Sequence, residues 1–154
     1  MLRLIGLLVM LLAVPTASHG QQSLAGTYRM VSQVLDVDGT VTENMGKAPR
    51  GQLAFTQTRA TAFYTAQTRK PGVSEAEKGA LFDTLGGWSA RYRTEGSRLI
   101  LSIDSSWVEI WNGKDLVRNY QLSGNRLTLT SDLMPFARDS TKKVIVRQVW
   151  EEIE

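Results

Sequence analysis

Two kinds of apolar patterning divide this chain. Residues 4–14 form an unbroken apolar run around Gly6, whereas beyond Gln21 short apolar or β-branched runs alternate with turn signals. The second pattern predicts an antiparallel all-β unit. Residues 26–35 read as a first strand, which stops at Asp38-Gly39, a pair suited to the positive φ of a tight turn. Residues 40–50, with Pro49 and two flanking glycines, form an irregular connection. Residues 51–56 and 60–66 make a hairpin about Gln57-Thr58-Arg59. Residues 88–94 and 98–104 flank Glu95-Gly96-Ser97; residues 115–122 and 126–131 flank Ser123-Gly124-Asn125; residues 143–152 make the final strand. Eight strands in hairpin order are expected from this pattern.

One segment departs from the alternation. Ser74 and Glu77 stand as N-cap and N3 of a capping box, in which each side chain satisfies a backbone donor of the other. Ala76, Ala80, Leu81 and Leu85 follow at helical spacing, and Gly86-Gly87 punctuates the run. The spacing predicts a short amphipathic helix over 75–85, placed as a lid over one end of the β unit or as a connector on its outside.

The strand faces point to the architecture. Leu116, Arg118, Tyr120 and Leu122 share a side, as do Trp88, Ala90 and Tyr92, then Leu99, Leu101 and Ile103, then Leu127 and Leu129. One apolar and one polar face per strand suit a sheet closed on itself, because closure removes unpaired edges. The expected fold is an all-β, eight-stranded antiparallel up-and-down barrel with one short helix. At eight strands the interior is wide enough for one small ligand.

The order of several motifs adds a family. Gly26-Thr27-Tyr28-Arg29-Met30-Val31-Ser32 is followed by Asp38-Gly39-Thr40-Val41, Met45-Gly46 and Gly51-Gln52-Leu53-Ala54-Phe55-Thr56. Later come Val117-Arg118-Asn119-Tyr120-Gln121-Leu122, Gly124-Asn125-Arg126-Leu127-Thr128-Leu129 and the ending Val149-Trp150-Glu151. In this order, over about residues 24–153, the chain resembles the bacterial lipocalin-like domain family, with Tyr28 where that family's opening carries Trp. The resemblance implies a barrel with a central cavity. It also implies a cation–aromatic closure at the barrel base, for which Tyr28 and Arg147 are the candidates.

The N-terminal apolar run changes what chemistry is open. Arg3, the apolar run and the small, polar residues 15–20 have the layout of a secretory signal peptide. Cleavage near Gly20 would leave residues 21–154 as a single domain, exported to a periplasm or secreted. The only histidine, His19, would go with the leader, and the chain has no cysteine. The mature chain would then lack a Ser-His-Asp or Cys-His site and histidine-based zinc ligation. No cofactor is implied, since no Gly-rich phosphate loop opens a helix after a strand. No later segment reaches the ~20 apolar residues of a membrane span. With 18 Lys and Arg against 15 Asp and Glu, spread along the chain, no basic stripe marks a nucleic-acid partner. A monomer with a small hydrophobic or amphipathic partner is expected.

Arg118 is the sharpest candidate for that partner. Its strand mates are apolar, so an inward Arg118 needs a carboxylate, a carbonyl or a ligand anion. Either Arg118 and Tyr120 hold the polar end of a ligand such as a fatty-acid-like carboxylate, or Arg118 closes an internal salt bridge to Asp104 or Glu109. Trp88, Tyr92, Trp107, Trp111 and Phe55 form an aromatic lining or ordinary core. Asp104, Glu109 and Asp115 are the carboxylates from which acid–base chemistry would have to come. The leading expectation is a small-molecule binder with Arg118, Tyr120, Tyr92, Trp88, Trp107 and Phe55 at the site, and neither catalytic nor metal-ligating residues. The alternatives are a cavity enzyme, an isomerase or cyclase on a hydrophobic substrate, and a filled structural or interaction barrel.

Overall fold

A computed structural model describes residues 23–136 and 139–154, so the leader expected over residues 1–20 lies outside the described residues. The alternating segments become β1 (Gly26–Val37), β3 (Arg50–Phe55), β4 (Arg59–Thr65), β5 (Leu85–Glu95), β6 (Arg98–Ser106), β7 (Asp115–Ser123), β8 (Arg126–Ser131) and β10 (Asp139–Glu152). Each pairs antiparallel with the next, and β10 returns to pair with β1 from Tyr28↔Glu152 to Val37↔Val144. The ring is thereby closed: an eight-stranded antiparallel barrel, with one α-helix among the described residues, as the strand faces require.

Two short strands escape the sequence pattern. β2 (Thr40–Thr42) and β9 (Met134–Phe136) have three residues each and pair only with the extensions of β1 and β10. β2 follows Asp38 and Gly39, whose φ values of 48° and 84° make the tight turn expected of that pair.

The two ends of the barrel differ. At one end, tight turns join β3 to β4, β5 to β6 and β7 to β8, and the start of β1 packs there against the C-terminal residues through Thr27 N–H to Glu154 O (2.7 Å) and Ile153 N–H to Thr27 O (2.8 Å). Tyr28, Phe55 and Tyr92 stack edge-on through this end, with centroids 6.0 and 5.0 Å apart. The Tyr28 hydroxyl donates to Leu24 O (3.1 Å) and that of Tyr92 to Thr56 O (2.9 Å), so each polar tip is satisfied. The long connections β2–β3, β4–β5 and β6–β7 gather at the other end, with β9. The expected closure by Tyr28 and Arg147 is not formed. Arg147 is exposed and sits opposite Val34, while Tyr28 sits opposite Glu152, farther along the same ladder.

The helix α1 (Glu75–Asp83) starts with the capping box: Glu77 N–H donates to Ser74 Oγ (3.3 Å), and Ser74 N–H to Glu77 Oε2 (2.9 Å). It is shorter than expected and buries no residue, so its apolar positions make no core-facing stripe. Thr84 ends it, with its N–H bonded to Leu81 O and its hydroxyl to Ala80 O. Leu85, Gly86 and Gly87 belong to β5 instead. Phe82 is the helix's main tie to the barrel: its ring meets Trp107 at 4.1 Å, and the Trp107 indole donates to Phe82 O (3.3 Å).

A candidate ligand cavity at the loop end

Side-chain volume runs out before the loop end is reached. The turn end is filled by Tyr28, Phe55, Leu53, Leu99 and Leu127, but higher up the ring a cavity of about 130 Å³ remains for the centres of water-sized molecules. A void of ~150 Å³ accepts benzene in an apolar protein core, so this one suits the body of a small organic molecule. Leu101, Leu116, Leu129, Val144, Val146 and Trp88 make its apolar wall. Met45, Val108 and Trp111 from two connections, with Met134 and Phe136 of β9, frame the rim.

The remaining wall is polar, and a change of phase in β1 puts it there. Tyr28 and Met30 are buried, but a register shift between Met30 and Ser32 moves the inward positions to Gln33 and Leu35. Gln33 is thereby buried opposite Gln148 of β10. Gln148 Nε2 donates to Gln33 Oε1 (2.7 Å), and Gln33 Nε2 donates to Asn44 Oδ1 (3.1 Å). The amides thus satisfy one another, as buried polar groups must.

Tyr64 of β4 lies next to this chain. Burial raises its pKa, while the Gln148 side chain and the Arg118 charge pull it down. Arg118 of β7 completes the polar corner. It keeps some accessible surface, but it lines the cavity, and its surroundings are dense enough that desolvation lowers its pKa against the opposing influence of Tyr64 and Asp132. One N–H, on Nη1, donates to Val117 O (2.9 Å).

No carboxylate among the described residues lies within 4.0 Å of the Arg118 guanidinium. Asp104, an expected partner, is the extra residue where β6 slips against β5 and points outward to Arg59. Glu109 is exposed in a 3₁₀ turn (Glu109–Trp111). Asp132 is already held by Arg98 (3.0 Å) and by the Asn119 amide (2.9 Å). Asp115 is on the outside, accepting from the Ser102 hydroxyl (2.6 Å). The three carboxylates considered for acid–base work therefore do not converge on the cavity. No group of three metal-ligating side chains occurs among the described residues.

Of the six site candidates, Arg118 and Trp88 line the cavity. Phe55 and Tyr92 lie in the turn-end stack, and Tyr120, opposite Leu129, packs against the core outside the cavity lining. Trp107 is 39% exposed and covers the outer face of β5 beside Phe63, Ser89 and Ser105. Sequence reasoning passed over Tyr64, Gln33, Asn44 and Gln148. Glycines within strands often mark a close approach of another group, and Gly51 and Gly86 were such signals for Tyr64.

Comparison with known proteins adds one match. A family model described as a lipocalin-like domain matches residues 25–153. No curated protein and no solved structure matches the chain significantly.

Proposed function

This chain belongs to the lipocalin-like domain family, and from that premise we propose that it is an exported carrier of a small amphipathic molecule. The guest's apolar body lies against Trp88, Leu101, Leu116 and Leu129, with its polar end toward Arg118. The observation that carries this reading is the Arg118 guanidinium, set in a mainly apolar cavity with no carboxylate partner among the described residues. A desolvated charge without a close ionic partner is costly, and Asp132, paired with Arg98, acts on this one only from beyond 4.0 Å. A guest bearing an anionic end supplies the counter-charge and so binds there in preference to water. Each 100 Å² of apolar guest surface buried adds roughly 2.5 kcal/mol before association costs are met. Export rests on Arg3, the apolar run over 4–14 and the small residues before Gln21. N-terminal sequencing of the secreted chain checks it, with Gln21 expected first and Met1 contradicting it.

The binding test uses anilinonaphthalene sulfonate, a fluorescent amphipathic anion. Folded wild-type protein saturates with a blue-shifted signal. Arg118→Met, which keeps the length of the side chain but not its charge, binds about tenfold or more weakly, the scale of a lost charge-assisted hydrogen bond. Equal affinity in a folded Arg118→Met variant overturns the role given to Arg118.

A further inference from the structure

Tyr64 is held in place by what its neighbours lack. Across the sheet it pairs with Gly51 on β3 and Gly86 on β5. A Cβ at position 51 would collide with Tyr64, its Cα included (3.0 Å), and a Cβ at position 86 would lie 2.6 Å from the Tyr64 hydroxyl. The ring can therefore lie across β5 instead of standing up from the sheet, and Trp150 closes its flank edge-on at 6.0 Å. Gly86 and Tyr64 both line the cavity, so the phenolic oxygen is delivered to the cavity wall at a fixed place.

The amide chain sets which way hydrogen bonds run at that wall. Gln148 and Gln33 donate along the sequence Gln148, Gln33, Asn44, so the oxygens of Gln33 and Asn44 are already accepting. The Gln148 side chain also favours the ionised form of Tyr64, as an amide N–H offered to the phenolic oxygen does. Burial opposes ionisation more strongly, so Tyr64 keeps its proton at neutral pH and has it to give. Beside it stands Arg118, which has N–H groups only and no acceptor. The corner thus offers a phenolic proton and a guanidinium to a guest, with a single positive charge.

We propose that Tyr64 and Arg118 form a two-point grip for a carboxylate, one oxygen taken by each, and that Tyr64 is the residue that sharpens selection of an acid. This rests on the carrier reading above and names the ligand class for the same cavity. One cation matches one negative charge, and a carboxylate presents two oxygens with four lone-pair sites to two donors. An amine brings a second positive charge beside Arg118. A methyl ester has the acid's carbonyl and chain but no charge.

The test titrates hexanoate, octanoate and dodecanoate, their methyl esters and the matching alkylamines, read by the fluorescence of the cavity tryptophans Trp88 and Trp111. Wild-type protein should bind each acid at least about tenfold more tightly than its ester, and the amines more weakly still. Tyr64→Phe keeps the ring over Gly86 and removes only the hydroxyl. It should lower acid affinity several-fold more than ester affinity, because a hydrogen bond to a charged oxygen is worth more than one to an ester carbonyl. Acids and esters bound equally by wild type would overturn the carboxylate assignment and leave the carrier reading standing. Acid and ester affinities falling by the same factor in Tyr64→Phe would remove Tyr64 from the selection of the acid and overturn the grip. Failure of the whole series, together with failure of anilinonaphthalene sulfonate, would bring down the carrier reading and the grip with it.

Discussion

The hydroxyl of Tyr64 lies 2.6 Å from the point where any side chain at position 86 would place its Cβ. Two strands are therefore fitted to each other through an absent methyl group. Gly86→Ala should cost about 1–3 kcal/mol of stability, the range for overpacking a well-filled site. Urea denaturation measures it. In a Tyr64→Ala background the same change should cost much less, because the two residues share one space. An undiminished cost there would place the strain elsewhere.

Trp150 combines complete burial with a polar atom that is unsatisfied. It packs in β10 between Met30 and Leu127, and its indole Nε1 has no hydrogen-bond partner among the described residues. Trp150→Phe loses packing but also removes a buried donor whose desolvation costs about 1–3 kcal/mol. The two effects oppose each other, so stability should stay within about 1 kcal/mol of wild type, against a loss of about 3–5 kcal/mol for Trp150→Ala. Equal losses in the two variants would mean that the indole proton is satisfied in solution.

Helix α1 is held by its caps, by Arg69 Nη2 donating to Leu81 O (2.8 Å) and by Trp107 against Phe82. Its first turn depends on Ser74, and Ser74→Ala should weaken the helix by about 0.5–2 kcal/mol. Trp107→Ala removes both the 4.1 Å ring contact and the indole bond to Phe82 O. Native-state hydrogen exchange should show faster exchange in residues 77–83 for both variants, with barrel amides unchanged. Acceleration spreading through β5 and β6 would show instead that the helix supports the barrel.

Acid should destabilise the fold through three surface carboxylates. Hydrogen bonds from the Ser74 and Val73 backbone and the Ser74 hydroxyl hold Glu77 below the ordinary carboxylate range. The Thr141 hydroxyl and N–H do the same for Asp139, and Arg29 does it for Glu151 by hydrogen bond and charge. With folded values below unfolded ones, this stability is present above about pH 4.5 and is lost as pH falls through the folded values. At the alkaline end, burial raises Tyr28, Tyr64 and Tyr92, so that contribution is complete below about pH 10 and is lost as pH rises through the folded values. Urea midpoints at neutral and acid pH check the first half: a lower midpoint in acid is expected, and a smaller drop for Glu151→Gln. A flat acid limb would contradict it.

The barrel was legible because its signals are local. Alternation in β6, β7 and β8 and the Asp38-Gly39 turn each need only a few neighbouring residues. β2 and β9 were not, since three residues carry too little periodicity and both exist by pairing with extensions of longer strands. Arg118 was legible as a charge at an inward position. Gln33 was not, because the slip between Met30 and Ser32 reverses the phase of β1 halfway along. Tyr64 needed the register of three strands at once, which places Gly51 and Gly86 at its sides. Trp107 reads in the sequence as part of the aromatic lining, but its N–H continues the ladder to Gly87 O (2.8 Å) and its side chain covers the outer face of β5.

The central claim, that a guanidinium inside this barrel meets a guest's carboxylate, is tested most directly by the titration of the guest itself. Carbon NMR of carboxyl-labelled octanoate bound to the protein reports its ionisation as pH is lowered. A carboxylate beside Arg118 should keep its charge to a lower pH than free octanoate, and in Arg118→Met it should take up a proton at a higher pH. A bound carboxyl protonating above the free acid in wild-type protein would contradict the account, since that is the behaviour of an acid buried without a cation.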